Sequence, residues 1–546
     1  MGAARAEQDG LVCGIAVAID WSDPESAVAR LMEGLLHRGD VSDPIARPRA
    51  GIAMATRRLR IVDQDHGAQP VLSADGRILV SFNGEIYNHA DLRREMEALG
   101  VRFRTRCDTE ALANALSLWG PKALHRINGM YAFVAVDTAN GEFLAARDPF
   151  GVKPLYVIQS GSGFLFSSEM RALLSTVETG DVLAVPPGHF MTRNHVGPFS
   201  IWPADCRSAM PDRSAQALDR LVRSAVHSRI PPDLPFALMF SGGIDSTLVA
   251  HYAREIRPEA PGYFLGDDSA PDYTYAARYA DQSGLELRRV PLGDLSKKDV
   301  SRLEQVVAVA ESFEPAVIRD ALCNYALFER IHADGFRVAL SGEGADELFA
   351  GYLPLKLAFA DSDAAGNFVR DQCLGIMGRT NLQRVDRCGM HFQVEAREPL
   401  LDPSLATFAK GSTSAELVDG SGENPVGKLP LRGLWELYAD RLPRAIGERR
   451  KVAMQVGSGL DASQKASPWI DYAERTIGDA EFQDGKREFA AFKLGTKEEY
   501  AYLRILSRTL DVSRVPQLAQ RPFLRFPALR NSSRAAGKLA DFLVEA

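Results

Sequence analysis

Ser241-Gly242-Gly243-Ile244-Asp245-Ser246 stands between an apolar run at residues 236–240 (FALMF) and a helical pattern at 246–256 (STLVAHYAREI). A strand that enters a glycine turn and leaves as a helix is the building unit of a parallel α/β sheet. Ligands of such sheets gather at the carboxyl ends of the strands. Backbone N–H groups and the helix dipole at the turn make an anion site. The glycines admit a phosphate close to the backbone, the serine hydroxyls add donors, and Asp245 can hold a cation. The Gly-Lys-Ser/Thr ending of a Walker A loop is absent. A tight turn that merely needs glycine would spell the same hexapeptide; the strand–loop–helix setting favours the phosphate reading.

Working outward, a second strand-like run at 336–340 (FRVAL) ends in Ser341-Gly342-Glu343-Gly344-Ala345-Asp346-Glu347. Three acids in five residues repel one another, so a cation or a substrate amine is expected among them. Acids in a helix's first turn are the plainer explanation, and alone it would be the better one. Beside the first turn it becomes the weaker. The hexapeptide resembles the pyrophosphate-binding loop of ATP pyrophosphatases, which cleave ATP to AMP and pyrophosphate.

The region before residue 191 has another texture. Short β-type runs at 13–19, 51–62, 77–88, 130–137, 142–148 and 163–169 are separated by turns. Alternation with polar residues suggests antiparallel sheets. Residues 90–99 and 108–119 have helical spacing, with Asp108 or Thr109 as the N-cap of the second. The expected fold is an α+β layered domain of antiparallel sheets and helices, then an α/β parallel-sheet domain. Proline and glycine from Pro186 to Pro211 mark the passage between them. The boundaries follow: residues 1–12 a leader or misassigned start, 13–200 the first domain, 201–215 a linker, 216–521 the second domain and 522–546 a tail.

At 546 residues the chain exceeds the size of one hydrophobic core. Its net charge of −7, without a Lys/Arg block, argues against a nucleic-acid surface. No apolar run approaches the roughly 20 residues of a membrane span. The first residues lack the apolar stretch of a secretory signal, and Ala6 breaks the myristoylation pattern that Met-Gly opens. Six scattered cysteines without a C-x-x-C read as reduced thiols of a cytoplasmic protein.

Cys13 opens the first β-type run, where a cysteine is ordinarily a small buried hydrophobe. Asn83-Gly84-Glu85-Ile86-Tyr87-Asn88 supplies an amide and a pliable backbone suited to an oxyanion hole. Arg58 can pair a substrate carboxylate and Asp108 an amino group.

Together these segments resemble the class-B, glutamine-dependent asparagine synthetases. The resemblance runs from about Val12 to Ser507 in the family's order. It rests on CGI (13–15), RRLRIVD (57–63), the turn at 67–70 (GAQP), FNGEIYN (82–88), CDTE (107–110), GMYAFVAVD (129–137), RDPFGVKPLY (147–156), SSE (167–169), SGGIDS, SGEGADELFAGY (341–352), VEAREPLLD (394–402) and RRKVAM (449–454). It implies an N-terminal-nucleophile glutaminase in which Cys13 attacks the glutamine amide and its own α-amine is the base; near pH 7.7–8.0 such an amine is partly neutral. Asn83 and the Gly84 backbone would hold the oxyanion, and Arg58, Ile61, Val62, Glu85 and Asp108 would cradle glutamine. ATP would meet Met239, Ser241, Gly242, Gly243, Asp245, Ser246, Leu265, Ser341 and Gly342, with Mg2+ at Asp245 and Asp346. Lys451 would stabilise charge on the α-phosphate. Ammonia would travel through the interior to the acyl-adenylate, and Glu343 would take the surplus proton. Glu311 and Arg319 would bind the acceptor, aspartate. A homodimer is implied on the same ground.

Three departures qualify the resemblance. Eleven residues precede Val12, so Cys13 as written has no free α-amine; initiation at Val12 followed by loss of that residue would restore it, as would cleavage of a leader. Otherwise the glutaminase is silent and the synthetase takes free ammonia. The family's His-Arg-Gly-Pro-Asp loop reads His37-Arg38-Gly39-Asp40. Near the expected aspartate site, Thr-Thr before Ile318-Arg319 is replaced by Ala316-Val317, and the small Ser after it by Asp320-Ala321. That leaves open the same chemistry on another carboxylate. A catalytically silent binding protein is a third class, against which intact Glu343, Asp346 and Lys451 weigh.

Overall fold

The computed structural model describes residues 13–39, 41–58, 68–292, 300–422, 424–461 and 467–520. The chain divides into two compact units. One holds residues up to Phe199 with Gly389–Glu395 and Ser513–Val515; the other begins at Ser200 and holds most of the remainder. Ile61, Val62, residues 1–12 and the tail from 522 lie outside the described residues.

The first unit is built on two antiparallel sheets. One runs Leu183–Ala184, Tyr156–Ser160, Gly163–Ser167, Gly14–Ile19, Ile52–Arg58, Val41–Ser42; Ala46–Arg49 also pairs with Ile52–Arg58. The other runs Val196–Pro198, His189–Met191, Phe143–Arg147, Gly129–Asp137, Ile78–Ile86, Val71–Leu72. Ile15, Val17 and Ile19 of one sheet share a core with Ala132, Val134 and Val136 of the other. On the far side of the second sheet, Phe82, Tyr131 and Phe133 pack against Leu92, Met96, Leu112 and Leu116 of two helices, His89–Ala98 and Asp108–Trp119. Helix Pro24–Gly34 covers the first sheet. The layering is therefore helix, sheet, sheet, helix.

This burial explains a weakness in the expected alternation. Every residue of Gly14–Ile19 is buried, as are all but the first of Gly129–Asp137. A strand covered on both faces reads as a continuous apolar run. Two further expectations need correction. Helix Asp108–Trp119 has Cys107 at its N-cap and no side-chain cap, because the Asp108 carboxylate accepts from the Ile86 N–H at 2.9 Å instead. The proline-rich passage is not all linker: His189–Met191 and Val196–Pro198 are strands, and Pro198 is tolerated because its strand forms the edge of the sheet.

The second unit is organised by a sheet ordered Leu287–Val290, Gly262–Leu265, Ala237–Met239, Val338–Leu340, Glu395–Arg397, the first four strands parallel. From Ala237–Met239 the chain steps outward through Gly262–Leu265 to Leu287–Val290, then returns to the other side with Val338–Leu340. Strand order reverses at that pair, the place where open α/β sheets bind ligands. Both glycine turns lie at its carboxyl end.

Candidate active sites

In the first unit, Cys13 precedes Gly14–Ile19 and is half-buried. Antiparallel register sets Gly14 opposite Arg57, which carries Cys13 toward Arg58. Arg38, wholly buried, donates from Nε to the Cys13 carbonyl at 3.0 Å and from Nη1 to Glu169 at 3.0 Å, so a buried ion pair fixes the backbone of the nucleophile candidate. Arg58 donates to Asp43 at 3.1 Å, and Asp43 also accepts from the Gln69 N–H at 2.9 Å. Sequence reading missed Arg38, Asp43 and Glu169. Basic and acidic residues are common, and only their distant partners single these out.

Asn83 and Gly84 lie on Ile78–Ile86, which faces Gly14–Ile19 across the sandwich. Asn83 is 1% exposed, and its Nδ2 has no hydrogen-bond partner among the described residues. An unpaired buried donor costs about 1–3 kcal/mol, so an acceptor is expected to reach it. Gly84 has φ of 149°, and a Cβ there would sit 2.0 Å from the Met130 carbonyl oxygen. Only glycine lets the backbone keep that course. Glu85 and Asp108 are both buried; burial pushes the Asp108 carboxyl up, opposed by the hydrogen bond from Ile86. Asn83→Ala should lower glutamine-driven turnover about 10²–10³-fold. Its melting temperature should hold, because the amide nitrogen has no protein partner to lose. Unchanged kcat for glutamine hydrolysis would remove Asn83 from the oxyanion role.

In the second unit, a cavity of about 1580 Å³ opens where the two glycine turns meet. Met239 and Leu265 form part of its apolar wall; Ser241, Gly243, Asp245, Ser246, Ser341, Gly342, Glu343, Asp346 and Lys451 also line it. Gly242 has φ of 69°, and a Cβ there would be 2.4 Å from the Ala276 nitrogen, which accounts for the second position of the hexapeptide. Ser246 Oγ accepts from the Ser241 N–H at 3.2 Å and tightens the turn. Gly243 caps helix Ile244–Ile256 without a side-chain hydrogen bond, leaving that terminus suited to an anion. A Cβ on Gly342 would come within 2.9 Å of the Asp245 Cβ, so the two turns touch and their acids become neighbours.

The charges between those turns form a cage. Lys428 Nζ lies 2.6 Å from Asp245 Oδ2 and 2.6 Å from Asp346 Oδ1, while Lys451 Nζ lies 2.7 Å from Asp346 Oδ2. Asp245 Oδ1 is buried without a hydrogen-bond partner. The two ammonium groups hold Asp346 well below the usual carboxylate range against the cost of its burial. In return the charges of Asp346 and Asp245 keep Lys451 firmly protonated. Lys428 was not foreseen. It is 4% exposed and adopts a left-handed backbone, φ 61°, a strained conformation for a non-glycine residue.

Glu343 Oε1 accepts from Arg384 at 3.0 Å and Oε2 from Asn381 at 3.2 Å. Asn381 also donates to Glu347, whose carboxyl burial and the Asp346 and Glu343 charges push up to about 7. Glu311 does not reach the cavity: it is 1% exposed and accepts from Arg387 at 2.9 Å. Arg319 lines the cavity but donates with Nε and Nη2 to the two oxygens of Glu498. The sequence leaves open whether Asp320 neutralises its neighbour Arg319 or points away from it. The structure pairs Asp320 with Arg384 at 3.4 Å, because successive residues of helix Pro315–Ala333 point in different directions.

Among the described residues no helix is long and apolar enough to cross a membrane. A glutamine amidotransferase domain profile matches residues 12–195, and an asparagine synthase profile matches 217–370 and 370–515. Asparagine synthetase (glutamine-hydrolyzing) 1 of Arabidopsis thaliana is 28% identical over 524 residues, 91% of this chain and 86% of that one. A probable asparagine synthetase (glutamine-hydrolyzing) of Dictyostelium discoideum is 29% identical over 567 residues, 97% and 99% of the two chains. A solved structure of the allosteric regulatory enzyme of purine biosynthesis aligns with 47% of this chain and 66% of its own, at 18% identity and a TM-score of 0.31. With the two profiles falling in sequence on the two units, this chain belongs to the asparagine synthase family, carrying a glutamine amidotransferase domain ahead of its synthase domain.

Proposed function

We infer that the protein makes asparagine from aspartate, drawing nitrogen from glutamine and energy from ATP. The observation that supports this most is the cage of Asp245, Asp346, Lys428 and Lys451 at the mouth of two glycine turns, with Glu343 in the same cavity. In the first unit the Cys13 thiolate attacks the glutamine amide carbon, a thioester forms as ammonia departs, and water then hydrolyses the thioester to release glutamate; Asn83 Nδ2 and the Gly84 N–H receive the oxyanion. Arg58, Ile61, Val62, Glu85 and Asp108 hold glutamine in this reading. In the second unit an oxygen of the aspartate β-carboxylate bonds to the α-phosphorus of ATP and pyrophosphate leaves. Ammonia then bonds to the acyl carbon of β-aspartyl-AMP, AMP departs, and Glu343 takes the surplus proton. Lys451, held ionised by its two carboxylate neighbours, meets the charge that grows on the α-phosphate.

Mg2+ fits this donor set. The ion prefers one or two carboxylates with substrate phosphates, and Asp245 offers a buried oxygen without a partner beside Asp346. When bound it neutralises phosphate charge; Asp245 and Asp346 would hold it. A cytoplasmic setting belongs to the same reading on the scattered cysteines, and a homodimer on the family resemblance. Purified protein given glutamine, ATP, Mg2+ and aspartate should release pyrophosphate, AMP and asparagine in equal amounts. Glutamine hydrolysis without pyrophosphate release at saturating aspartate would overturn the asparagine assignment.

A further inference from the structure

At the acceptor end of the cavity, Arg319 is committed to Glu498, with Asp461 3.7 Å from its third nitrogen. That leaves Arg384, 6% exposed, whose Nη2 serves both Glu343 at 3.0 Å and Asp320 at 3.4 Å. One guanidinium is thus shared between two carboxylates. Asp320 Oδ1 is buried and has no hydrogen-bond partner among the described residues; neither has Arg384 Nε. Burial pushes the Asp320 carboxyl up and the charge of Glu343 adds to this, against the pull of Arg384 and Lys451 and a backbone hydrogen bond from Gln455. A buried carboxylate oxygen without a hydrogen-bond donor, on a residue that lines the cavity, calls for a cation from the ligand.

We propose that Asp320 is a specificity-determining residue of the acceptor site, its carboxylate receiving the α-ammonium group of an amino-acid acceptor. The proposal rests on the asparagine-forming reading and deepens it. Glu343 and Asp320 converge on the same nitrogen of Arg384, so an acceptor whose reacting carboxylate lies by Glu343 brings its remaining groups toward Asp320. In aspartate the ammonium is separated from the reacting carboxyl carbon by two carbons. The same acid repels an acceptor that lacks the ammonium, since such a molecule adds only negative charge. Selection is therefore for amino acids over the corresponding simple dicarboxylates.

The full chain can be assayed by glutamine-driven pyrophosphate release with aspartate and with succinate, its counterpart without the amino group. The expected results are strong preference of the wild type for aspartate and a rise of about 10–100-fold in the aspartate KM of Asp320→Asn, the range of a lost charged hydrogen bond. The KM for ATP should stay within about twofold, and Asp320→Glu should recover part of the loss. The preference over succinate should collapse in Asp320→Asn alone. Unchanged aspartate KM and preference in Asp320→Asn would overturn the proposal, as would a wild type that uses succinate as readily as aspartate; the latter needs no variant to fold. A wild type that releases pyrophosphate with neither acid overturns the asparagine reading and this proposal together.

Discussion

Cys13→Ala should abolish glutamine-driven synthesis and leave ammonia-driven synthesis near the wild-type rate. The substitution removes Sγ, the atom proposed to attack the amide; losing a covalent nucleophile costs roughly four to six orders of magnitude. Little else should change. The carbonyl of residue 13, which accepts from Arg38 Nε, is backbone and survives, and the pairing of Gly14–Ile19 with both neighbouring strands does not involve the side chain. The ATP cavity is lined wholly by residues of the second unit. Parallel assays with glutamine and with ammonium salts decide the matter. Glutamine-driven turnover above about a tenth of wild type would remove Cys13 from the chemistry.

Lys451→Ala should lower pyrophosphate release about 10²–10³-fold, the usual cost of one preorganised donor to a developing charge. Structure survives this substitution better than it would the loss of Lys428, because Lys428 still contacts both Asp245 and Asp346. Among the described residues Lys451 is ion-paired with Asp346, and its side chain is 40% exposed, which lets it reach a ligand. The loss should therefore appear in kcat more than in the KM for ATP, while glutamine hydrolysis continues. Near-normal pyrophosphate release from Lys451→Ala would exclude it from transition-state stabilisation. Lys428→Ala removes a cation shared by two buried carboxylates, an event of about 3–5 kcal/mol for a buried pair, so its activity loss would be confounded by stability.

Local pattern in the sequence was enough for the order of the two architectures, the strand–turn–helix at 236–256, the acidic turn at 341–347 and the strand that carries Asn83 and Gly84. Each depends on neighbours within a few residues: a glycine where φ is positive or backbone comes close, a serine that closes its own turn, an apolar run that needs cover. What the tertiary structure decided are the partnerships of the charges. Lys428 meets Asp245 across 183 residues of chain, Arg319 meets Glu498 across 179, and Arg387 claims Glu311 across 76. A charged side chain carries no periodicity that names its partner, and its role changes entirely with that partner. Arg319 and Asp320 are neighbours along the sequence; the helix turns them apart, gives one to Glu498 and the other to Arg384, and leaves Asp320 Oδ1 buried without a hydrogen-bond partner among the described residues.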